Sequence, residues 1–493
     1  MFDLSPDDIT EGPVLRALLV LAAPLLAQNV VQVFQQVVDL FWVGRLDNAG
    51  DAVAAVGLVV PLQALVFGFA VFIPFVGTQV LVSQRIGADD VVGARRGVGS
   101  GLLAALGLGV GVGVVGILLA PALIDLITSV RPEGVGESVG PLAVAYFSVL
   151  MLVLPLITLS DTTEAAFVGW GDSRVALYMN VLAIGLNAVL DPIFIFGFEE
   201  NPAFALLGLG GVADSLYAAT GFAGLGVEGA ALATGVGYGV GFLLGAALLL
   251  AGRNGGMTSR SAFRIDLAEQ RELFDIGLPM AGQQVAKQVA DLALVVLAFS
   301  LGGAAGLAAY FVGFRVAGVA VIPSLSLQQA AQSVVGQNLG AGLVGRARTA
   351  TWHGAGIAVT VLGLLGVVQW VVPELIVVVL APQLDAAGVA LTVEYLRVLA
   401  LGYPAIGAAY LFQAGFNGAS ETRTSFLASL AQYWGVRLPF ALVGGLALAW
   451  GVSAVFWAVT LSNVAAALGL AFYYYYSAEN GRFDPEPEGA APN

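Results

Sequence analysis

Asn187 and Asp191 sit four residues apart in an otherwise apolar stretch, so a helix carries both on one face, about one turn apart. Pro192 follows at once and, lacking an N–H, leaves the carbonyl of Ala188 without its helical partner. A free carbonyl oxygen thereby joins an amide and a carboxylate. Asp39, late in the first apolar stretch, is a second carboxylate with no opposite charge near it in sequence, and Thr234 offers a hydroxyl. Oxygen ligands of this kind suit a hard cation such as Na+; paired carboxylates suit a proton equally well. The candidate cation or proton site is therefore Asp39, Asn187, Asp191 and Thr234, with Asp39, Asn187 and Asp191 as the metal ligands if Na+ is the ion. Asn180 lies two further turns back on a similar face. Lys287 and Asp291 are also four apart: they either neutralise each other or face a substrate. Arg397 with Glu394, and Arg437 nearby, are expected to form a buried neutral cluster.

These groups must be held inside a membrane. Of 493 residues 58% are hydrophobic and 11% charged, too few polar side chains to cover a soluble globule of that length. Twelve apolar runs are each long enough to cross a bilayer, at about 14–43, 52–83, 97–127, 139–166, 175–198, 222–251, 272–300, 304–336, 350–380, 387–415, 424–448 and 451–477. The first is too long for a signal-peptide core and follows an acidic start (Asp7, Asp8, Glu11), so it is expected to be retained. An ionisable group at mid-bilayer costs at least about 2.5–3.5 kcal/mol, which makes each of those named above a site candidate. With the N-terminus inside, thirteen arginines fall on inner turns and only Arg45 and Arg131 on outer ones. A cell-membrane protein with both termini in the cytoplasm is expected.

Composition removes several other classes. Zero Cys and a single His, His353, exclude disulfides, thiol catalysis and the usual transition-metal centres, so no cofactor is expected beyond a bound Na+. Nineteen basic residues against 33 acidic ones argue against nucleic acid as a partner. The acidic, nearly Lys-free composition fits a salt-loving host and a GC-rich genome equally. The only adjacent acid pairs (Asp7-Asp8, Asp89-Asp90, Glu199-Glu200) belong to no longer acidic motif that would hold metal and diphosphate, and no phosphate-binding loop surrounds Lys287. An enzyme and an ATP-driven pump are accordingly disfavoured.

The chain also repeats itself. Gln84-Arg-Ile-Gly-Ala with Gly93-Ala-Arg-Arg96 returns as Gln337-Asn-Leu-Gly-Ala with Gly345-Arg-Ala-Arg348, and Gly169-Trp-Gly-Asp-Ser-Arg174 returns as Gly418-Ala-Ser-Glu-Thr-Arg423. The second pair is offset by 249 residues, whereas Gly226-Val-Glu-Gly and Gly451-Val-Ser-Ala are offset by 225, which locates a 24-residue insertion in the outer loop at about 199–223. Six spans per repeat bring the chain back to the same side. The expected fold is all-α and polytopic: twelve transmembrane helices in two parallel six-helix lobes related by pseudo-twofold symmetry. The expected division is a first lobe over 1–252, a cytoplasmic linker over 253–271, a second lobe over 272–478 and an acidic tail over 479–493.

At these motifs, with Ile276-Gly-Leu-Pro279 opening the seventh span, the chain resembles the multidrug and toxic compound extrusion family over essentially its whole length apart from the insertion and tails. That resemblance implies an exporter that exchanges an organic, often cationic, compound for H+ or Na+ by alternating access, with small amphiphilic substrates and membrane lipids as partners. The archaeal and related bacterial branch carries an Asp on the first helix, Asn-x-x-x-Asp on the fifth, a Tyr on the fourth and a Thr on the sixth, which Asp39, Asn187, Asp191, Tyr146 and Thr234 match. The expected substrate cavity contains Tyr146, Asn180, Lys287 and Asp291. The related oligosaccharide and lipid flippases share the architecture and fit these motifs less well.

Overall fold

The computed structural model describes residues 6–128 and 138–483. Arg131, one of the two arginines expected outside, and most of the acidic tail lie outside those residues. Among the described residues every regular element is helical, and eleven helices are long and apolar enough to cross a bilayer. One of them, Leu267–Ala320, has 54 residues. At 1.5 Å per residue it would reach about 80 Å, well over twice the hydrocarbon thickness. Gly303 breaks it, with φ 59° and ψ −154°, a conformation that only glycine adopts without strain. Two limbs result, and the spans number twelve as expected.

The second span of each half is interrupted just ahead of a proline. Ala49–Ala70 and Phe72–Gly87 meet at Val71 with Pro74 following, and the limb ending at Ala320 meets Ile322–Gly340 at Val321 with Pro323 following. Proline is tolerated there because the first-turn N–H it lacks has no helical partner in any case. Span eleven, Thr422–Ala447, has π-helical turns at Ala431–Arg437 and Val443–Ala447, widenings that often accompany functional positions. The insertion forms two short helices, Pro202–Leu206 and Gly210–Thr220. At its root, Asn201 Nδ2 donates to the carbonyls of Pro192 (2.7 Å) and Gly197 (2.5 Å), fastening the end of span five.

The surface is inverted relative to a soluble protein, as a lipid solvent requires: Leu118, Leu292, Val378 and Phe472 are among the exposed side chains, while Thr78, Gln337, Asn417 and Ser425 are fully buried. Much of that buried polarity joins the two halves. Gln84 Nε2 donates to the Gly418 carbonyl (2.8 Å), and Gln337 Nε2 to the Gly169 carbonyl (2.9 Å). Each repeated glutamine thus caps the repeated glycine turn of the opposite half, and the two bonds are related by the pseudo-twofold. Between them the second and eighth spans cross so closely that a Cβ at Gly87 would overlap the Gln337 carbonyl and one at Gly340 the Gln84 carbonyl. Gln332 Nε2 donates to Gln79 Oε1 (3.1 Å) and Gln79 Nε2 to the Gln329 carbonyl (2.9 Å), extending the seam one turn inward. The end of the bundle so joined also carries both ends of the described chain: Arg346 Nη2 donates to the Gly12 carbonyl (2.6 Å) and Arg348 pairs with Glu479 (2.5 Å).

A side chain at position 87 should wedge this seam open. Ser83 is fully buried beside it, and the chain has no natural cysteine, so Ser83→Cys reports on the seam cleanly. The thiol introduced by that substitution should react slowly with a maleimide in an otherwise unchanged protein and several-fold faster once Gly87→Val is added, since overpacking of this kind costs about 1–3 kcal/mol. Equal labelling rates would show that the seam does not depend on the close crossing.

Candidate functional site

Three of the four residues expected at the cation site are linked through the Asn187 amide, and the fourth, Asp39, joins them at Asp191. Span five, Ser173–Phe196, continues through Pro192 and keeps Asn187 and Asp191 on one face, both buried. Asn187 Nδ2 donates to Asp191 Oδ1 (3.0 Å) and approaches Thr234 Oγ1 on span six (3.4 Å). Thr234 gives its own proton to the Ala230 carbonyl (3.1 Å), which leaves its lone pairs free. Asp39 comes from span one, Val14–Val43, and its carboxyl faces that of Asp191 within hydrogen-bonding reach. Two carboxylates are both acceptors, so this contact becomes a bond only when one of them is protonated or a cation lies between them. Tyr146 on span four stands close enough to feel both charges.

Three of the oxygens lack partners. Asp39 Oδ1, Asn187 Oδ1 and Asp191 Oδ2 are buried without a hydrogen bond among the described residues. Three orphaned hard oxygens with the Thr234 hydroxyl beside them fit a proton or a Na+ ion, and no soft ligand is present.

A second acidic group, absent from the sequence-derived site, lies further inward on the same lobe. Glu164 on span four accepts from Gln28 Nε2 of span one (2.6 Å) and from Asn180 Nδ2 of span five (2.7 Å). Asn180 Oδ1 accepts in turn from Gln32 Nε2 (3.2 Å). Asp161 lies one turn earlier on span four, and Tyr238 of span six is within electrostatic reach of Asp161, Glu164 and Asp39 together. Among the described residues no Lys or Arg pairs with Asp39, Asp161, Glu164 or Asp191. Asn180, expected in the substrate cavity, therefore belongs to the Glu164 group, and Tyr146 stands at the carboxyl pair.

In the second lobe a third charged group joins Lys287 and Asp291. Asp291 makes an ion pair with Arg437 of span eleven (3.7 Å) and also faces Lys287, which acts on it more strongly than Arg437 does. Arg437 is itself well satisfied, by Ser462 Oγ (2.8 Å), Asn463 Oδ1 (2.7 Å) and the face of Tyr433 (4.3 Å). The expected cluster with Arg397 and Glu394 does not form: Arg397 pairs with Glu374 at the exposed end of the bundle (2.8 Å), and Glu394 accepts from Ser453 (2.5 Å). Four residues of separation predicts proximity along a helix, and a second cation reaches Asp291 here from another helix.

Replacing Gln28 by Leu would strand one buried oxygen of Glu164. A loss of about 1–3 kcal/mol is expected, read as a fall in Tm of the purified protein, with most of it recovered when Glu164→Leu is added. A Gln28→Leu protein as stable as the parent would show that this bond does not hold span one in place.

Comparison with known proteins agrees with the architecture. The chain is 24% identical to "Probable multidrug resistance protein YpnP" of Bacillus subtilis, over 95% of this chain and 96% of that one. It is 28% identical to "Probable multidrug resistance protein NorM" of Pseudomonas putida, over 93% of each. Among solved structures it resembles an outward-facing multidrug resistance MATE family transporter (TM-score 0.83, 23% identity, 97% of this chain and 99% of that one). It also resembles a MOP superfamily transporter from Pyrococcus furiosus whose binding pocket is described as having reverse polarity (TM-score 0.82, 23% identity, 97% and 100%). The MatE family profile matches residues 24–193 and 279–443, one segment in each half. The chain is a multi-pass membrane protein and belongs to the MatE family of transporters.

Proposed function

We propose that the protein is a secondary active exporter of the cell membrane that exchanges small organic, often cationic, compounds for H+ or Na+ by alternating access. The observation that carries this reading is the carboxyl pair Asp39 and Asp191: two acids in contact inside a bilayer, with orphaned oxygens and no basic partner among the described residues. Such a pair is stable only when a cation neutralises it, and an ion gradient across the membrane then sets its occupancy. When the pair is charged, mutual repulsion drives span one away from span five. Neutralised, it lets them close. Span one can respond because Pro24 interrupts its backbone ladder, and Gln28 and Gln32 link the segment just beyond that proline to the Glu164 group. The thirteen-to-two arginine distribution supports placing the joined end of the bundle, with both termini, in the cytoplasm.

Purified protein in vesicles should export a cationic dye under an imposed H+ gradient, an imposed Na+ gradient, or both. Asp39→Asn and Asp191→Asn should each abolish gradient-driven export while leaving the protein folded, because Asn keeps size and polarity but carries no charge. Asn187→Ala separates the ions: it should weaken a Na+ site, which needs every oxygen, more than a proton site. Wild-type rates in both Asp→Asn variants would overturn the mechanism, and silence of the parent under both gradients would favour a lipid or oligosaccharide flippase.

Orientation is tested separately with Arg264→Cys in the linker. An impermeant thiol reagent applied to intact cells should leave it unlabelled; strong labelling would invert the topology.

A further inference from the structure

The two lobes contain the same polar knot in two chemical versions. In the first, Gln28, Glu164 and Asn180 meet; in the second, Gln283 Nε2 donates to Ser429 Oγ (2.6 Å) and approaches Gln413 Oε1 (3.4 Å). Glu164 and Gln413 are 249 residues apart, as are Asn180 and Ser429, matching the offset of the repeated glycine turns that adjoin them. On the first and seventh spans Pro24 and Pro279 are 255 apart, and so are Gln28 and Gln283. These registers identify the partners of the remaining residues: Asp161 corresponds to Tyr410, and Gln32 to Lys287. Where one lobe has two acids and the amide of Gln32, its counterpart has a phenol, an amide and an ammonium.

Lys287 points into the protein. On its helix Val289, Leu292, Val296 and Phe299 form the exposed row, while Lys287 and Asp291 share the opposite side with the fully buried Leu294 and Ala298. The charged groups that face it are Asp291 on its own helix and Arg437 on span eleven, with the phenols of Tyr410 and Tyr433 alongside. Two cations thus share one carboxylate, Asp291. The excess positive charge in a low-dielectric interior requires an anion, as the carboxyl pair in the other lobe requires a cation.

We propose that this cluster is an anion subsite: Lys287, with Arg437 nearby and the Tyr410 and Tyr433 hydroxyls as further donors, receives one carboxylate or phosphate group. Resting on the export reading, it identifies the preferred substrate as an amphiphile with an oxyanion as well as a cationic centre, rather than a simple cation. An anionic lipid headgroup supplies the same chemistry.

The test measures equilibrium binding of two dyes to the full-length protein in phosphatidylcholine nanodiscs: a cationic rhodamine methyl ester, and the same rhodamine as its free acid. The ratio of acid to ester affinity should fall roughly tenfold in Lys287→Gln, the size of one hydrogen bond to a charged group, and stay within about twofold in Lys287→Arg. An unchanged ratio in Lys287→Gln overturns the subsite. If Lys287→Gln does not fold, benzoate decides with the parent alone: it should displace the acid dye and spare the ester, and equal effects on both refute the proposal. Adding phosphatidylglycerol to the nanodiscs identifies the source. Loss of acid preference in the parent assigns the site to a lipid headgroup; retention assigns it to the substrate. A protein that binds the acid dye but moves neither dye under any gradient would refute export and leave the subsite standing.

Discussion

Carboxyl groups within hydrocarbon have to be neutralised by something, and the first lobe offers them nothing permanent. Four acids lie on spans one, four and five, and their contacts are amides, hydroxyls and one another. A resident Arg or Lys would make the site inert, because a fixed ion pair has no reason to exchange its partner. Leaving the cation to be drawn from solution makes occupancy depend on the two compartments, which is the property a coupled carrier needs. The amide donors of Gln28, Asn180 and Asn187 serve this arrangement: they orient the carboxyls and lower the cost of burying them without supplying countercharge.

The second lobe answers the same physical problem with the opposite sign. Its polar knot brings the corresponding positions together but moves the short bond to Gln283 and Ser429 while the acids are replaced, and the lysine on span seven shares Asp291 with Arg437. Duplicated halves that start identical can diverge in this way because each knot keeps a short hydrogen bond from its glutamine amide, to Glu164 in one lobe and to Ser429 in the other. The geometry of Gln283 with Ser429 does not depend on the charge of its neighbours, so substitutions there change electrostatics before they change the fold.

The span count, the duplication and the carboxyl pair were legible because each is written locally: in apolar run length, in recurrent turns, and in a four-residue spacing beside a proline. Glu164 was not. It lies in Ser160-Asp-Thr-Thr-Glu164 near the inner end of span four, where acids ordinarily meet water, and only the approach of Gln28 and Asn180 from two other helices buries it. The same limit explains Lys287 and Asp291, whose spacing suggests a pair and does not show that Arg437, 146 residues away from Asp291, joins it. The repeated turns were visible as turns, and nothing in one copy says that its glutamine will reach the glycine of the other. Contacts made across helices have no signature in the spacing along either one.

The crossing at Gly87 and Gly340 has a mechanical meaning. Backbone rests on backbone there, at one end of the bundle and on the pseudo-twofold, so the contact behaves as a fulcrum with the halves as lever arms. For arms about 30 Å long, the thickness of the hydrocarbon layer, a tilt of roughly 10° moves the far ends by about 5 Å each while the pivot itself barely shifts. In the alternating-access reading proposed above, small side-chain rearrangements near the fulcrum would be geared up into larger displacements at the far ends. The absence of side-chain padding is what keeps the lever stiff, since glycine backbones in contact have no rotamers to absorb the motion.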